Sequence, residues 1–388
     1  MKTIFFEEIN LFNIFIIFFF KLFGFKILFI KISKKLSKKK IIKFLEAFNI
    51  KWYNYQNYNL KKPNSNIVIP SQNLTDKFSK KITDLVWDEN IKKISDEKQN
   101  LDICVHQRFM DRFHDLYEIC SIAKQFIEEK NKIYIWVSND LLSKQVIAED
   151  IRVVNLYPKI FTLFNDLLFY SFKFFYGFLL IKFLKKLFSY LQFKKVINIK
   201  QVDQINTNNF KVCFFPHKGP IGINYKKNYF YSKDKNDFFY FSNILHFEWS
   251  QADIKNSIET LDFYKQKKIK VLFWDSFKNG INFINYKFIF MFFKIFLNLS
   301  IKLGLIGAIE ILIILFSIEQ NKIKLSRFPS LKLALVGYDW LFPQTLAVAC
   351  RMKKITLVAA QERNIETARK SQYLLDKYFV IGNHSKKI

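Results

Sequence analysis

Several polar residues that could act in catalysis follow directly after short apolar runs. In the segment KVCFFPHKGPIG, the apolar run Lys211–Phe215 ends at Pro216, and His217, Lys218 and Gly219 come next. A histidine can take a proton from a hydroxyl group, and a lysine can balance phosphate charge. The glycine lets the backbone approach a ligand closely. These residue types in this order make His217 a candidate general base.

The same placement recurs after other apolar runs. In open α/β sheets, ligands bind beyond the carboxyl ends of the strands, so polar residues that follow strands can meet a substrate there. The predicted catalytic residues are His217, Asp339 and Glu362. The predicted substrate-binding residues are Glu8, Asn10, Lys218, Gly219, Asp275, Gln361 and Arg363. For any single one of them, helix capping or solvation of a loop is the alternative explanation.

Alternating strands and helices would position these residues. The opening pattern predicts a strand at Lys2–Phe6, a helix at Leu11–Phe23 and a second strand at Lys26–Ile32. A helix at Lys38–Asn49 and a strand at Lys51–Tyr55 follow, and Gly24 is placed to cap the first helix. The predicted fold class is α/β, a Rossmann-like doubly wound parallel sheet with inserted apolar and amphipathic helices.

The opening residues also allow a membrane anchor as an alternative. Lys21, Lys26 and Lys31 interrupt the apolar run, and charge near the centre of a spanning helix is costly. Glu7 and Glu8 precede the apolar stretch, which is not the order of a secretory signal. The α/β opening is therefore the preferred interpretation.

Three later stretches interrupt the alternation. The polar stretch Asn57–Asn100 is predicted to form loops and a short surface helix. Helical insertions are predicted near residues 159–195 and 280–318. The first is either a buried helical pair or a lysine-edged helix lying in the headgroup region of a membrane. The second, whose charge-free runs are too short for a span, is predicted to be a buried or interfacial hairpin around Gly304 and Gly307.

The amino-acid composition limits the classes of partner that the chain is expected to bind. Among 388 residues, 62 are basic and 33 acidic, a net charge of +29 that suggests an anionic partner such as a phospholipid surface or phosphorylated substrates. Part of this charge fits the lysine-rich and asparagine-rich drift of an AT-rich coding sequence. The four cysteines and five histidines show no ligand spacing, so no metal is predicted. The motifs of kinases, dinucleotide-dependent oxidoreductases, serine hydrolases and zinc proteases are absent from the sequence. Nucleic acid is not a predicted partner.

Two stretches resemble bacterial glycosyltransferases of the GT-B fold, particularly those of surface-polysaccharide synthesis. The first is GYDWLFPQTLAVACRMKKITLVAAQERNIETARKSQYLLDKYFVIG, which resembles the end of their first domain. The second, HKGPIGINYKKNYFYSKD, looks like their acceptor-side loop. The residues that match the pattern are Asp339, Gln361, Glu362, Arg363, Asp376 and Tyr378.

The resemblance implies an acceptor-side Rossmann-like domain over residues 1–375 and the start of a second, truncated one at 376–388. The implied activity is transfer of sugar from a nucleotide-sugar donor to a glycan or lipid-linked acceptor, with no cofactor in the chain. The implied location is cytoplasmic, peripheral to the inner membrane and in contact with its anionic surface. The donor is bound mainly by the second domain in that fold, so whether the chain is an enzyme stays open. The alternatives are an integral membrane protein and a non-catalytic assembly subunit that needs a donor-binding partner.

Overall fold

The structure is a computed structural model. The residues that it describes are 3–9, 11–32, 38–52, 68–125, 133–136, 153–155, 210–215, 244–248, 270–273, 286–336, 342–360 and 374–379. They form helices and parallel strands, so the α/β class is confirmed. The predicted helical insertion near 159–195 lies outside them.

The chain divides into two compact units. Unit 1 comprises Met1–Phe78 and Phe109–Phe175, and unit 2 comprises Ser79–Arg108 and Tyr176–Ile388. The described strands of each unit form one sheet, and every strand pair in both sheets is parallel.

The sheet of unit 1 has the order β3-β2-β1-β4-β5. Its strands and their connecting helices are β1 (Thr3–Ile9), α1 (Leu11–Leu22), β2 (Lys26–Ile32), α2 (Lys38–Ala47), β3 (Lys51–Trp52), β4 (Ile133–Trp136) and β5 (Val153–Asn155). The predicted strand and helix alternation over the first 52 residues is confirmed. Apolar residues from the strands and both helices build the core, which includes Ile4, Phe6, Ile17, Ile27 and Leu45.

Three helices end in the same turn and lead into a strand. At the end of α1, Gly24 has a φ of 75°, its N–H donates to the Lys21 carbonyl at 3.0 Å, and the Phe25 N–H donates to the Phe20 carbonyl at 3.1 Å. This is a Schellman motif, in which a residue with positive φ lets two N–H groups bond the last free carbonyls. The predicted cap at Gly24 is confirmed.

From residue 68 onward, the stretch predicted to form loops and a short surface helix is mostly helical. It contains α3 (Val68–Val86), α4 (Glu89–Ser95) and the beginning of α5 (Lys98–Gln125). Along α3, hydroxyl residues at every fourth position are buried, namely Ser71, Thr75, Ser79 and Thr83. The Thr75 hydroxyl donates to the Ser71 carbonyl at 2.7 Å. Because a hydroxyl can bond the carbonyl one turn earlier, a polar residue such as Thr75 can be buried in a helix, and the prediction took the polar residues of this stretch for surface residues.

The sheet of unit 2 has the order β11-β10-β9-β6-β7-β8. Its elements are β6 (Val212–Phe215), β7 (Ile244–Glu248), β8 (Lys270–Phe273), α6 (Tyr286–Leu325), β9 (Leu333–Val336), α7 (Gln344–Met352), β10 (Thr356–Ala360) and β11 (Lys377–Phe379). The central strand β6 is apolar, and Cys213, Phe214 and Phe215 are buried, as expected for a parallel sheet.

The division into units differs from the domains expected from the sequence. A single domain was expected over residues 1–375, with a second beginning at 376. Instead, β11 pairs with β10, where Tyr378 lies opposite Ala359, so the last strand is an edge of the sheet of unit 2. The pattern of apolar runs locates strands but does not say which strands pair. For this reason a single sheet was predicted, whereas the described strands form two sheets.

The helical hairpin predicted around Gly304 is confirmed: α6 consists of two helical halves, and Phe292 and Phe316, twelve residues before and after Gly304, have ring centroids 6.0 Å apart. Gly304 interrupts it with φ 74° and ψ 172°, a conformation open essentially to glycine alone. Beyond the kink, Ile311, Ile314, Leu315 and Ile318 are buried. Among the described residues, no helix combines the length and the apolar character needed to cross a membrane.

Candidate functional site

Three neighbouring strands of unit 2 end side by side. In the parallel register, Phe215 at the end of β6 lies opposite Val336 at the end of β9, and Val336 lies opposite Ala359 of β10. Adjacent strands of a sheet are about 4.8 Å apart. The carboxyl ends of β6, β9 and β10 therefore form one continuous edge.

The direction in which the sheet grows changes between β6 and β9. From β6 the order continues to β7 and β8 on one side, and from β9 to β10 and β11 on the other. A crevice opens at such a switch point, because the connections on its two sides leave in opposite directions, and open α/β sheets bind their ligands there.

Most predicted site residues follow these three strands in the sequence. His217, with Lys218 and Gly219, begins two positions after Phe215, and Asp339 lies three positions after Val336. Gln361, Glu362 and Arg363 come directly after Ala360. These residues lie outside the described set, and their side-chain placement stays a prediction. What the structure brings together are the strands that lead into them.

The other predicted residues belong to different strands. Asp275 comes two positions after β8, which is an edge strand of unit 2, and lies outside the described residues. Glu8 is the next-to-last residue of β1 in unit 1, where its backbone lies opposite Lys31 of β2. Asn10 follows β1 and is also outside the described residues. In unit 1 the order of strands reverses between β1 and β4, so Glu8 approaches the corresponding switch point of that sheet.

A glutamine from α5 fixes the start of α7 next to the edge. The Gln107 amide nitrogen donates to the Phe342 carbonyl at 2.9 Å, and its amide oxygen accepts from the Gln344 N–H at 2.8 Å. Pro343, at the cap position of α7, makes no side-chain cap bond of its own. The Phe342 ring packs edge-to-face on Phe215 with ring centroids 5.5 Å apart. Gln107 therefore caps α7 and holds the returning chain against the end of β6.

Gln344 places a buried polar atom at the same position. Its amide nitrogen donates to the Phe342 carbonyl at 2.9 Å, and the residue is almost fully buried. Within the part of the chain that the structure describes, its Oε1 receives no hydrogen bond. An amide oxygen without a donor costs free energy when buried, so a donor group is favoured there.

A buried ion pair lies on the next residue of α5. Arg108 Nε donates to Oε2 of Glu310 at 2.7 Å, and the glutamate is fully buried in α6. The arginine side chain is one-third exposed. The pair joins α5 to the second half of α6. Arg108 lies one residue after Gln107, which caps α7.

The described cysteines do not offer nucleophiles. Cys104, Cys213 and Cys350 are free thiols and fully buried. Burial raises the pKa of each thiol well above its ordinary value, because the thiolate would lose its hydration. All three therefore stay protonated at neutral pH. The described residues also contain no group of histidine, cysteine and acidic side chains arranged to hold a metal ion.

Gln107, Arg108 and Gln344 were not among the residues predicted from the sequence. Gln107 and Gln344 are 237 positions apart, and nothing local to either residue indicates that they meet. Glu310 did carry a signal, because it is a single acidic residue within a long apolar stretch. A charge in such a place needs a partner of opposite sign.

No protein-family model matches the chain, and no curated protein or solved structure is similar enough to it to count as a match.

Proposed function

We propose that the chain is a glycosyltransferase-like protein of surface-polysaccharide synthesis, with a Rossmann-like doubly wound sheet in each unit. It would transfer sugar from a nucleotide-sugar to a glycan or lipid-linked acceptor. One observation carries the proposal: the described strands form two all-parallel sheets, each with a reversal of strand order at its centre. Such a sheet offers a ligand-binding edge at its reversal. Two edges suit a reaction that has two substrates.

A second sheet among the described residues supports a two-domain arrangement. The resemblance to GT-B glycosyltransferases implies two domains, one for the acceptor and one for the donor. The two described sheets suit that arrangement, so the proposal places both substrates on this chain.

The residue types after β6, β9 and β10 suit sugar transfer. In this reaction the acceptor hydroxyl loses a proton, its oxygen bonds to the sugar carbon, and the bond from that carbon to phosphate breaks. His217, Asp339 or Glu362 would accept the proton. Lys218 and Arg363 would balance the charge of the departing nucleoside diphosphate. Gly219, Gln361 and Asp275 would line the same edge, and Glu8 and Asn10 would contact the substrate bound to unit 1.

The proposed location is the cytoplasmic face of the inner membrane, with peripheral attachment. The net charge of +29 supports contact with an anionic surface. Alkaline carbonate washing of membranes tests the attachment. A peripheral protein is released by the wash, whereas retention in the membrane would favour the integral alternative.

The activity is tested with the purified chain, a panel of nucleotide-sugars and detergent-dispersed lipid extract as acceptor, with nucleoside diphosphate release as the readout. We expect His217→Ala to lower turnover by about 100-fold or more, because a positioned base contributes about that factor. Asp339→Asn and Glu362→Gln test the other two candidates in the same assay. Glu46→Gln, an exposed carboxylate on α2, is the control and should leave turnover unchanged.

Two outcomes would overturn the proposal. One is that no nucleotide-sugar binds to the chain in calorimetry. The other is that all three variants transfer sugar as fast as the wild type. Absence of nucleotide-sugar binding by the isolated chain, with binding restored by a second protein, would support the assembly-subunit alternative.

A further inference from the structure

Unit 1 exposes large apolar side chains where α1 and α2 end. Five residues, which we call the aromatic patch, are between 46% and 86% exposed: Phe19, Leu22, Phe23, Phe44 and Phe48. The opposite sides of both helices supply Ile17 and Leu45 to the core of the unit. Each helix is therefore apolar on two sides, and only one of these sides packs in the core of the unit.

Ring contacts of Phe18 and the Lys21–Asn49 hydrogen bond bring together the helix ends that carry the two parts of the aromatic patch. Phe18 of α1 has its ring centroid 5.9 Å from that of Phe44 and 4.7 Å from that of Phe48. Phe44 and Phe48 are 5.2 Å apart, and Phe19 and Phe23 are 4.7 Å apart. Exposed apolar residues grouped in this way mark a docking surface more often than scattered apolar residues do.

The charge around the patch identifies the partner. At the ends of α1 and α2, three lysines lie close to patch residues in the sequence, Lys21, Lys26 and Lys43, against one acidic residue, Glu46. Lys26 and Lys43 are exposed, and Lys21 reaches the Asn49 carbonyl at 3.4 Å, which ties the end of α1 to the turn after α2. A second copy of the chain is disfavoured as the occupant, because a symmetric contact would place Lys21, Lys26 and Lys43 of one copy near the same lysines of the other.

We propose that the aromatic patch docks unit 1 on an anionic phospholipid bilayer. The aromatic side chains would enter the boundary between headgroups and acyl chains, and the lysines around them would meet the anionic headgroups. The assignment rests on exposure and charge in unit 1. It deepens the proposed function only in that it names the surface for the peripheral contact, and it does not require sugar transfer.

The patch lies at the amino edge of the sheet. Helices α1 and α2 each connect the carboxyl end of one parallel strand to the amino end of the next, so both helices end at the amino edge. Glu8 and the position after β1 belong to the opposite, carboxyl edge. Docking through the patch leaves that edge of unit 1 free for a substrate.

Co-sedimentation of the full chain with vesicles tests the proposal. The vesicles contain phosphatidylcholine alone or with phosphatidylglycerol at roughly one third, near the anionic content that produces a strong surface potential. We expect binding to the anionic vesicles, and release at high salt because the lysine contribution is screened. Lys26→Gln with Lys43→Gln should weaken binding by roughly 30-fold, at about 1 kcal/mol for each lysine.

A matched pair of variants separates this patch from apolar exposure in general. Leu22→Ser with Phe23→Ser should abolish most vesicle binding. Phe290→Ser with Phe293→Ser changes two side chains of α6 in unit 2 that are also more than half exposed, and it should bind like the wild type. All four positions are exposed, so the far-ultraviolet dichroism and melting temperature of the variants should match those of the wild type.

Three results would overturn the proposal. The patch variants could bind vesicles as well as the wild type, or the α6 variants could lose as much binding as the patch variants. Binding of a short RNA or an acidic polypeptide through the same residues, with no binding to anionic vesicles, would assign the surface to another polyanion. The sugar-transfer assay uses a detergent-dispersed acceptor, so failure of docking is distinguishable from failure of the enzyme proposal.

Discussion

The ion pair between Arg108 and Glu310 is asymmetric, because only the glutamate is fully buried. Arg108→Met would deprive a buried carboxylate of its guanidinium partner, and we expect the free energy of unfolding to fall by about 3 kcal/mol. Glu310→Gln leaves an arginine that water can reach, so its cost should be smaller. Urea denaturation measures both changes.

The double variant provides the control for this pair. Arg108→Met combined with Glu310→Met removes both charges, and replacement of a buried pair by apolar side chains is often close to neutral. We therefore expect it to be more stable than Arg108→Met alone. If Arg108→Met cost no more than Glu310→Gln, the asymmetry in burial would not govern the stability.

Single residues were predicted well where their own type carries the signal. Gly24 was recognised as a cap because glycine is the usual residue at positive φ after a helix. The same turn occurs at Asn49 and Lys354, with φ of 59° and 56°, and nothing in a lysine indicates this conformation. The roles of Gln107 and Gln344 could not be predicted for a different reason, since they arise only from a contact between residues far apart in the sequence.

At the scale of elements, the end of α7 offers a test of the shared turn. Lys354 has φ 56°, its N–H donates to the Arg351 carbonyl at 2.9 Å, and the Ile355 N–H donates to the Cys350 carbonyl at 2.9 Å. A side chain in this conformation is strained by about 1 kcal/mol. Lys354→Gly should therefore raise the free energy of unfolding by about that amount.

The neighbouring residue is the matched control. Lys353 is also exposed but has φ −91°, where glycine gains nothing and makes the unfolded chain more flexible. We expect Lys353→Gly to lower stability by about 0.5 kcal/mol or more. Equal effects of the two substitutions in a thermal melt would contradict this account of the turn.

Apolar periodicity predicted helices and strands correctly, whereas polarity was wrongly taken to indicate loops. The strands and helices from β1 to β3 were predicted because each is apolar enough to be recognised. Helix α3 was missed because its buried side carries Ser71, Thr75, Ser79 and Thr83. The Thr75 hydroxyl bonds to the helix backbone, an arrangement that a hydrophobicity pattern does not register.

At the scale of the whole molecule, two helices are shared between the units. The division falls between Phe78 and Ser79 inside α3 and between Arg108 and Phe109 inside α5. If either unit unfolded, the half of each helix that belongs to that unit would lose its packing contacts. We therefore expect the units to unfold in one cooperative transition, with coincident curves from far-ultraviolet dichroism and tryptophan fluorescence.

A core substitution in unit 1 makes this test sharper. Phe6 is fully buried, and its ring centroid lies 6.3 Å from that of Phe20. Phe6→Ala should cost about 3 to 5 kcal/mol. Hydrogen exchange read by mass spectrometry should then show faster exchange in β6 and β9 of unit 2 as well as in unit 1. A loss of protection confined to unit 1 would show that the units unfold separately.

The pairing of strands was the part of the architecture that the sequence could not supply. The apolar runs around β6, β9 and β10 were all identified, and the rule that ligands bind at the carboxyl edge selected the residues after them. Their assignment to a second sheet depends on contacts between strands more than 100 residues apart, such as Phe215 opposite Val336. Local patterns contain no information about such contacts.

The discontinuity of unit 2 has a consequence for synthesis on the ribosome. The segment Ser79–Arg108 belongs to unit 2, yet its partners are made much later. Arg108 precedes Glu310 by 202 residues, and Asp88 precedes Asn298, with which it shares a hydrogen bond, by 210. At about 5 to 20 residues per second, this delay is roughly 10 to 40 s. During that time, α4 and the first part of α5 lack the residues that cover them in the folded protein. We therefore expect a chaperone that binds the nascent chain to bind this segment.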